Sequence, residues 1–176
     1  MRVIAGRLGG RNFASPRGHR THPMSDKVRG ALFNALGDIE GLSVLDAFAG
    51  SGALGYEAVS RGAAQVLAID TDSNAQQAIA ANITSLGLAN NMKLIKASAA
   101  AWLSTSDETF DIVLCDPPYD DPQLKLLGRL AERVKPNGLA VFSLPPGIKP
   151  GLPAHYELLA AKSYGDARLL FYRRVL

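Results

Sequence analysis

The sequence predicts an α/β fold in which a mainly parallel sheet is finished by a C-terminal antiparallel hairpin. Between residues 43 and 144, short apolar runs alternate with helical stretches, and only short links separate them. The residues from 156 to 175 instead form two alternating runs on either side of a Gly-Asp turn. Strands that alternate with helices pair in parallel beneath helices on both faces, whereas two runs joined by a tight turn pair antiparallel.

The strands and helices of the core are predicted from hydrophobic periodicity and from the residues that bound each run. The predicted strands are Ser43–Phe48, Gln65–Asp70, Met92–Ile95, Phe110–Cys115 and Leu139–Leu144. The predicted helices are Ala53–Arg61, Ser73–Leu86, Ser98–Leu103 and a stretch from Pro122 to about Val134. The Pro-Asn-Gly sequence at 136–138 predicts a turn that connects the last helix to the last strand. The final hairpin joins Tyr156–Tyr164 to Ala167–Val175.

An N-terminal section precedes this alternation and predicts a small extension of the core. Val3–Ala14 alternates weakly around two glycines, which favours a short hairpin. Ser25 is typical of a helix N-cap, and the helix that follows is expected to run to Leu36 and to end at Gly37. We therefore divide the chain, which is one compact domain overall, into a hairpin-plus-helix extension, residues 1–37, and a core, residues 38–176.

Basic residues are concentrated in the N-terminal section. The net charge is +3, but the first 29 residues hold seven lysines and arginines against one acid, Asp26. The rest of the chain holds 12 basic and 15 acidic side chains. A basic face on a mildly acidic body favours binding of a nucleic acid, the alternative being a solvated arm without a partner. The predicted contact residues are Arg2, Arg7, Arg11, Arg17, Arg20, Lys27 and Arg29.

The composition argues against several other classes of protein. No apolar run approaches the ~18 residues of a membrane span, and the N-terminus lacks the apolar stretch of a secretory signal. Cys115 is the single cysteine, so no internal disulfide can form and a cytoplasmic protein is expected. His19 and His22 have no cysteine or further histidine near them in the sequence, and we expect no metal site.

A glycine-rich turn follows the first predicted strand of the core. Gly50, Gly52 and Gly55 satisfy the spacing G-x-G-x-x-G, and Asp70 ends the next strand. Glycines let a ligand approach the backbone, and an acid at the second strand end binds ribose hydroxyls. The spacing does not distinguish a dinucleotide site from an S-adenosylmethionine site, and glycines that serve only helix–strand packing are a third interpretation.

Asp46 favours S-adenosylmethionine as the ligand of this turn. Its carboxylate lies at the strand end ahead of the glycines, where it would repel a pyrophosphate but attract a cation. S-adenosylmethionine carries an ammonium and a sulfonium group and no phosphate. The residue therefore argues for a methyl donor rather than a nicotinamide dinucleotide.

The sequence Asp116-Pro117-Pro118-Tyr119 follows the fourth predicted strand and favours recognition of a planar amine. The carboxylate and the Pro117 carbonyl can accept hydrogen bonds from an NH2 group, and Tyr119 offers a flat face for stacking. This element has no role in hydride transfer, and a proline-rich turn that only caps a strand is its structural alternative. The glycine turn followed by this element predicts a methyltransferase that acts on an exocyclic amine.

On these residues the chain resembles a Rossmann-like class I S-adenosylmethionine-dependent methyltransferase and, more narrowly, the bacterial 16S rRNA guanine-N2 methyltransferases of the RsmD-like family. The resemblance spans nearly the whole length and includes Arg2–Gly6, Thr21–Asn34, Leu45–Gly55 and Ser60–Ala63. It implies methyl transfer to the N2 atom of a guanine in 16S rRNA, on an assembled or assembling small ribosomal subunit. It further implies a monomeric cytoplasmic enzyme without a metal, with residues 1–37 as an RNA-docking extension and 38–176 as the methyltransferase catalytic core.

The resemblance also implies a set of site residues. The residues that would contact the cofactor are Asp46, Phe48, Gly50, Ser51, Gly52, Asp70, Ser98 and Asp116. The residues that would hold the base are Asp116, Pro117, Pro118 and Tyr119. The chain departs from the family pattern at Asp70, where Glu is usual, and at Ser98, where an Asp near the adenine is usual. Further departures from the family pattern, at His22, Met24 and Gly30, fall in the section expected to face RNA.

Other targets and classes remain open from the sequence. With the same cofactor, the target amine could belong to a DNA adenine, another RNA base or a protein glutamine. The absence of a sizeable target-recognition insertion argues against DNA, and Asp116, where glutamine-modifying enzymes usually have Asn, argues against protein. A non-catalytic RNA-binding module and a nicotinamide oxidoreductase are the remaining alternatives.

Overall fold

A computed structural model describes residues 1–18 and 23–176. The strands in this part are β1 Ser43–Asp46, β2 Gln65–Asp70, β3 Met92–Lys96, β4 Phe110–Cys115, β5 Val134–Leu144, β6 Tyr156–Tyr164 and β7 Ala167–Arg174. The helices are α1 Asp26–Leu36, α2 Ala53–Ser60, α3 Ser73–Ser85, α4 Ala99–Thr105 and α5 Leu124–Ala131. Within the described ranges, no helix is both long enough and apolar enough to cross a membrane.

The seven strands form one sheet in the order β3-β2-β1-β4-β5-β7-β6. β1 to β5 are parallel, and β7 pairs antiparallel with both β5 and β6. This arrangement confirms the predicted fold class, including the C-terminal hairpin. The strand order reverses beside β1, which pairs with β2 on one side and β4 on the other, so a ligand-binding crevice is expected there. We call the edge at which β1 to β5 end the carboxyl edge, and the opposite one the amino edge.

Both faces of the sheet are covered by helices. Val44 belongs to a buried cluster with residues of α1, α2 and α3, whereas its neighbour Leu45 belongs to a second cluster with residues of α4 and α5. Successive side chains of a strand point to opposite faces, so a strand buried on both faces must be apolar throughout. This requirement explains the continuous apolar runs of the sequence.

The boundary between α5 and β5 differs from the prediction. The helix ends at Ala131, and the strand begins at Val134 rather than after the 136–138 turn. Phe110 pairs with Val134 and Ile112 with Leu139, so four residues of β5 bulge out opposite a single residue of β4. The Pro-Asn-Gly sequence therefore interrupts a strand instead of preceding one, because the pairing of β4 resumes beyond the turn.

The N-terminal section packs on the α2 side of the sheet. Its hairpin is minimal, with one antiparallel bridge between Arg2 and Asn12 and a hydrogen bond from the Val3 N–H to the Arg11 carbonyl. Val3, Leu8 and Phe13 lie in the same buried cluster as α1 and α2. The extension and the sheet therefore share one hydrophobic core.

Candidate active site

Three carboxylates meet at the carboxyl edge of the sheet. Asp46 ends β1, Asp70 ends β2, and Asp116 directly follows β4. Because β1 lies between β2 and β4, the topology places the three side chains on neighbouring strands at the same edge of the sheet. Each belongs to the set predicted from the sequence, and the crevice they share is the candidate active site.

Asp46 is the most unusual of the three. Its side chain is fully buried, and neither carboxylate oxygen has a hydrogen-bond partner. Burial, followed by the charges of Asp116 and Asp70, raises the pKa of Asp46 to about 8. The Gly55 N–H lowers this pKa in part, although it does not form a hydrogen bond with the carboxylate. A buried carboxyl group without a partner is costly, so the site is suited to a cation that would provide one.

The glycine turn gives the ligand access to the backbone. Gly50 and Gly52 have φ angles of 55° and 82°, a region that glycine adopts without strain. A Cβ at Gly52 would overlap the Tyr56 hydroxyl, which accepts a hydrogen bond of 3.1 Å from Asn82 Nδ2. Gly55 has a different role, because a Cβ there would press on Met92 of β3 and Val66 of β2. The third glycine therefore serves helix–strand packing.

Asp70 holds the glycine turn in place. Its Oδ2 accepts a hydrogen bond of 2.7 Å from the Gly50 N–H, and its Oδ1 accepts one of 2.8 Å from the Asp72 N–H. Burial raises the pKa of Asp70, while these two N–H groups act in the opposite direction. A carboxylate oxygen can accept more than one hydrogen bond, so both oxygens retain capacity for hydroxyl donors.

The remaining cofactor-binding candidates surround this turn and the end of β3. Phe48 is half-buried against the α4–α5 face of the sheet. Ser51 is buried, and its hydroxyl accepts a hydrogen bond of 3.3 Å from the Ala53 N–H. Ser98 is the N-cap of α4, and its Oγ accepts the Ala101 N–H at 3.0 Å. The hydroxyl proton of Ser98 is not used in that contact, so Ser98 can still donate a hydrogen bond.

The Asp-Pro-Pro-Tyr element lies next to the carboxylates. Burial raises the pKa of Asp116 to about 6, and the hydroxyl of Ser143 lowers it in part. Pro117 is buried, whereas Pro118 is exposed and Tyr119 is half-buried. The Tyr119 hydroxyl lies 2.5 Å from Ser143 Oγ. Sequence reasoning missed Ser143 because a serine within an apolar strand carries no functional signal of its own.

The predicted RNA-contacting residues do not form one surface. Arg29 has no exposed surface, and its Nη2 donates to the Arg2 carbonyl at 2.6 Å and lies 3.1 Å from Asp26 Oδ1. The structure therefore removes Arg29 from the RNA-facing set, because its guanidinium is enclosed between α1 and α2. Arg2 is exposed and forms an ion pair with Asp26 at 3.3 Å. Arg20 lies outside the described residues.

Arg7 and Arg11 lie towards one edge of the sheet, and Arg17 lies towards the other. Arg7 lines a cavity of about 450 Å³ with Gly41, Ala64 and Asn91, which lie one or two residues before β1, β2 and β3 and so mark the amino edge. Arg11 donates to the Ser85 carbonyl at 3.0 Å, at the C-terminal end of α3. Arg17 and Lys27 are exposed. Next to Arg17, Gly18 approaches Asn74 in the first turn of α3, which starts at the carboxyl edge.

The sheet order, the glycine turn after β1 and the Asp-Pro-Pro-Tyr element after β4 together define a class I methyltransferase. Residues 1–173 match the family described as conserved hypothetical protein 95. The chain belongs to this family. It is 32% identical over 182 residues to ribosomal RNA small subunit methyltransferase D of Escherichia coli K12, covering 99% of this chain and 90% of that protein.

Solved structures of methyltransferases are also similar to this chain over nearly its whole length. The yhhF methyltransferase of Escherichia coli superposes with a TM-score of 0.87 at 31% identity, covering 99% of this chain and 97% of the other. The methylase HI0767 of Haemophilus influenzae gives a TM-score of 0.82 at 29% identity, with coverage of 99% and 98%. Both similarities include the N-terminal section, because nearly the whole chain is matched.

The site also fits S-adenosylmethionine on its own geometry. The unpartnered carboxyl group of Asp46 matches a cationic ligand. Asp70 has free acceptor capacity for the hydroxyls of a ribose. Among the described residues, no group of three or more His, Cys, Asp or Glu side chains is placed to hold a metal ion.

Proposed function

We propose that this chain transfers a methyl group from S-adenosylmethionine to the exocyclic N2 atom of a guanine in 16S rRNA of the small ribosomal subunit. The observation that carries the proposal is the position of Asp116–Tyr119 beside Asp46, Asp70 and the glycine turn. The full-length similarity to ribosomal RNA small subunit methyltransferase D supports the substrate class.

The chain's own residues bind and orient the methyl donor. When bound, S-adenosylmethionine supplies an electrophilic methyl group on a sulfonium. Asp46 would pair with the cationic end of the ligand, and Gly50 and Gly52 would allow its close approach. Asp70 would accept the ribose hydroxyls, and Ser98 would hydrogen-bond the edge of the adenine. We propose these roles on the positions of the residues around one crevice.

Asp116 and Tyr119 would present the target amine. The Asp116 carboxylate and the Pro117 carbonyl would accept hydrogen bonds from the NH2 group, while the Tyr119 ring would stack on an unstacked base. The N2 lone pair of guanine is delocalised into the ring, so two acceptors that favour a pyramidal nitrogen would raise its reactivity. Most of the rate would come from positioning and electrostatics, because the nitrogen becomes acidic only once it is methylated.

The RNA-docking surface follows from where the target must arrive. A guanine that reaches Asp116 enters at the carboxyl edge, whereas Arg7 and Arg11 lie towards the amino edge. A strand of five or six residues, at about 3.3 Å per residue, separates the two edges by roughly 15–20 Å. We therefore propose that Arg17 contacts the RNA phosphates near the target, and that Arg7 and Arg11 do not contact the RNA around the target guanine.

A methyl-transfer assay tests the proposal directly. Small ribosomal subunits from a strain that lacks the activity would be incubated with the protein and radiolabelled S-adenosylmethionine, and the rRNA digested to nucleosides. We expect label in N2-methylguanosine at a single site of 16S rRNA. Label in N6-methyladenosine would assign a different amine, and absence of label despite tight S-adenosylhomocysteine binding would show that the substrate is not this rRNA.

A further inference from the structure

Ser143 occupies an exceptional position at the carboxyl edge. It is the next-to-last residue of β5 and only 2% exposed, and its hydroxyl is thus a buried polar group in an apolar part of the strand. Cys115 pairs with Phe142, so the register places Ser143 level with Asp116, the residue that follows Cys115. A buried hydroxyl requires a hydrogen-bond partner, and both candidates belong to the Asp-Pro-Pro-Tyr element.

The direction of these hydrogen bonds follows from the chemistry of the groups. Ser143 Oγ lies 2.5 Å from the Tyr119 hydroxyl, where either atom could donate. The strand register places Ser143 level with Asp116, and the Ser143 hydroxyl lowers the pKa of that carboxyl group. An ionised carboxylate only accepts hydrogen bonds, so a Ser143 hydroxyl that donates to Asp116 keeps its oxygen free to accept from Tyr119.

We propose that Ser143 is a positioning residue that joins Asp116 and Tyr119 into one hydrogen-bonded unit. By donating to Asp116, it keeps that carboxylate ionised and aimed as an acceptor for the target amine. By accepting from Tyr119, it holds the aromatic ring at the entrance of the same crevice. The inference rests on the proposed function, because it assigns Asp116 and Tyr119 to the target base.

The surroundings of Asp116 explain why a neutral hydroxyl matters there. Asp46 on β1 faces Asp116, with Asp70 beyond it on β2, and Cys115 and Tyr119 are the neighbouring weak acids. The salt bridges of the described residues do not include Asp116. Burial disfavours ionisation of Asp116, and the Ser143 hydroxyl offsets this effect in part.

The first test measures the protonation of Asp116 without any activity. Carbon-13 NMR of aspartate-labelled protein would follow the Asp116 carboxyl as pH varies, with the resonance assigned from Asp116→Asn. Ser143→Ala should raise the titration midpoint by about one pH unit. The matched control is Ser163→Ala, which removes an exposed hydroxyl from the edge strand β6 and should leave the midpoint unchanged. An unchanged midpoint in a folded Ser143→Ala protein would overturn the inference.

The second test measures single-turnover methyl transfer against pH. Transfer requires ionised Asp116 and is lost as pH falls through its pKa, so Ser143→Ala should move this acidic limb to higher pH while S-adenosylhomocysteine affinity stays within about twofold.

Tyr119→Phe should lower transfer in the wild-type background but change it less than twofold in the Ser143→Ala background, since the link is already broken. If the double variant instead loses transfer by the product of the two single losses, Ser143 and Tyr119 do not act as one unit. Failure of the wild-type protein to modify the rRNA would instead refute the proposed function, and the NMR titration would still decide the role of Ser143.

Discussion

Asp46, Asp70 and Asp116 share one crevice, and burial is the main reason that the pKa of each is raised. The free protein therefore holds a proton on Asp46 at neutral pH. A bound cation favours the ionised carboxylate, so binding of S-adenosylmethionine should release that proton. The residue that we propose to bind the ligand thus also disfavours the folded free protein when its carboxylate is charged.

Replacement of Asp46 by Asn should change the pH dependence of stability. The pKa of Asp46 rises from its ordinary value of 3.8 to about 8 on folding, so the folded state binds more protons between these limits and stability falls as pH rises. Denaturant unfolding of the free protein from pH 4 to 8 should show this fall, and Asp46→Asn should reduce it. The same variant should bind S-adenosylmethionine at least tenfold more weakly, since it lacks the charge.

Asp120→Asn provides the control for this pair of measurements. Asp120 is exposed and lies one residue beyond the Asp-Pro-Pro-Tyr element. The Asp120→Asn substitution should change neither the slope of stability against pH nor the affinity for S-adenosylmethionine. An Asp46→Asn protein that binds S-adenosylmethionine as tightly as the wild type would contradict the assigned ion pair.

Replacement of Asp116 by Ala should separate chemistry from ligand binding. Loss of the acceptor should reduce methyl transfer by roughly 10²-fold or more, the size expected for a positioned polar group in a water-excluded site. S-adenosylhomocysteine affinity should stay within about threefold, because other residues hold the cofactor. Isothermal titration and a transfer assay measure the two quantities, with exposed Asp121→Ala as the control. Turnover close to that of the wild type would refute the role of Asp116.

At the scale of elements, α2 connects the N-terminal section to the glycine turn. Its residue Glu57 is fully buried, and its carboxylate accepts the Ile4 N–H at 2.8 Å and the Ala5 N–H at 3.1 Å. Arg61 Nε adds an ion pair of 2.8 Å, and Arg29 Nε lies 3.9 Å away. One carboxylate thus anchors the hairpin and compensates a buried guanidinium.

Replacement of Glu57 by Ala should destabilise the protein more than any surface change. Removing one partner of a buried ion pair leaves the other without compensation, at a cost of about 3–5 kcal/mol in the free energy of unfolding. Two backbone N–H groups also lose their acceptor. Chemical denaturation measures the effect, and exposed Glu108→Ala should change it by less than about 0.5 kcal/mol. A loss below 1 kcal/mol would show that the N-terminal section is not anchored by this carboxylate.

At the scale of the whole molecule, the sheet separates the positive charges of the N-terminal section. The chain leaves the hairpin tip near the amino edge and reaches the carboxyl edge only at Arg17 and Gly18. A substrate that presents one guanine at the carboxyl edge therefore meets some of these charges and not others. Net charge alone does not distinguish them.

A matched pair of charge reversals should locate the docking surface. Arg17→Glu should weaken binding to the target RNA and reduce the slope of log affinity against log salt by about one, as expected for a lost phosphate contact. Arg7→Glu should leave affinity within about twofold, because Arg7 lies at the opposite edge. Binding to small ribosomal subunits at several salt concentrations measures both variants. The reverse result would place the RNA on the hairpin tip.

Local patterns account for most of the correct predictions. Ser25 caps α1, with its Oγ accepting the Val28 N–H at 3.2 Å, and Gly37 closes the helix with a φ of 74°. Helix caps and strand ends depend on residues within a few positions of each other, so they are readable from the chain. The 136–138 turn was misplaced because its position depends on pairing with β4, more than twenty residues earlier.

The amino-acid sequence is sufficient to predict the alternation of strands and helices, the glycine turn, the acids at the strand ends and the Asp-Pro-Pro-Tyr element. These features follow from hydrophobic periodicity and from backbone constraints that act locally. Three further features are visible only in the folded chain: Arg29 is enclosed, Ser143 contacts Tyr119, and Arg7 and Arg17 lie towards opposite edges. Burial and contact depend on which distant segments pack together, and no local pattern of residues specifies that packing.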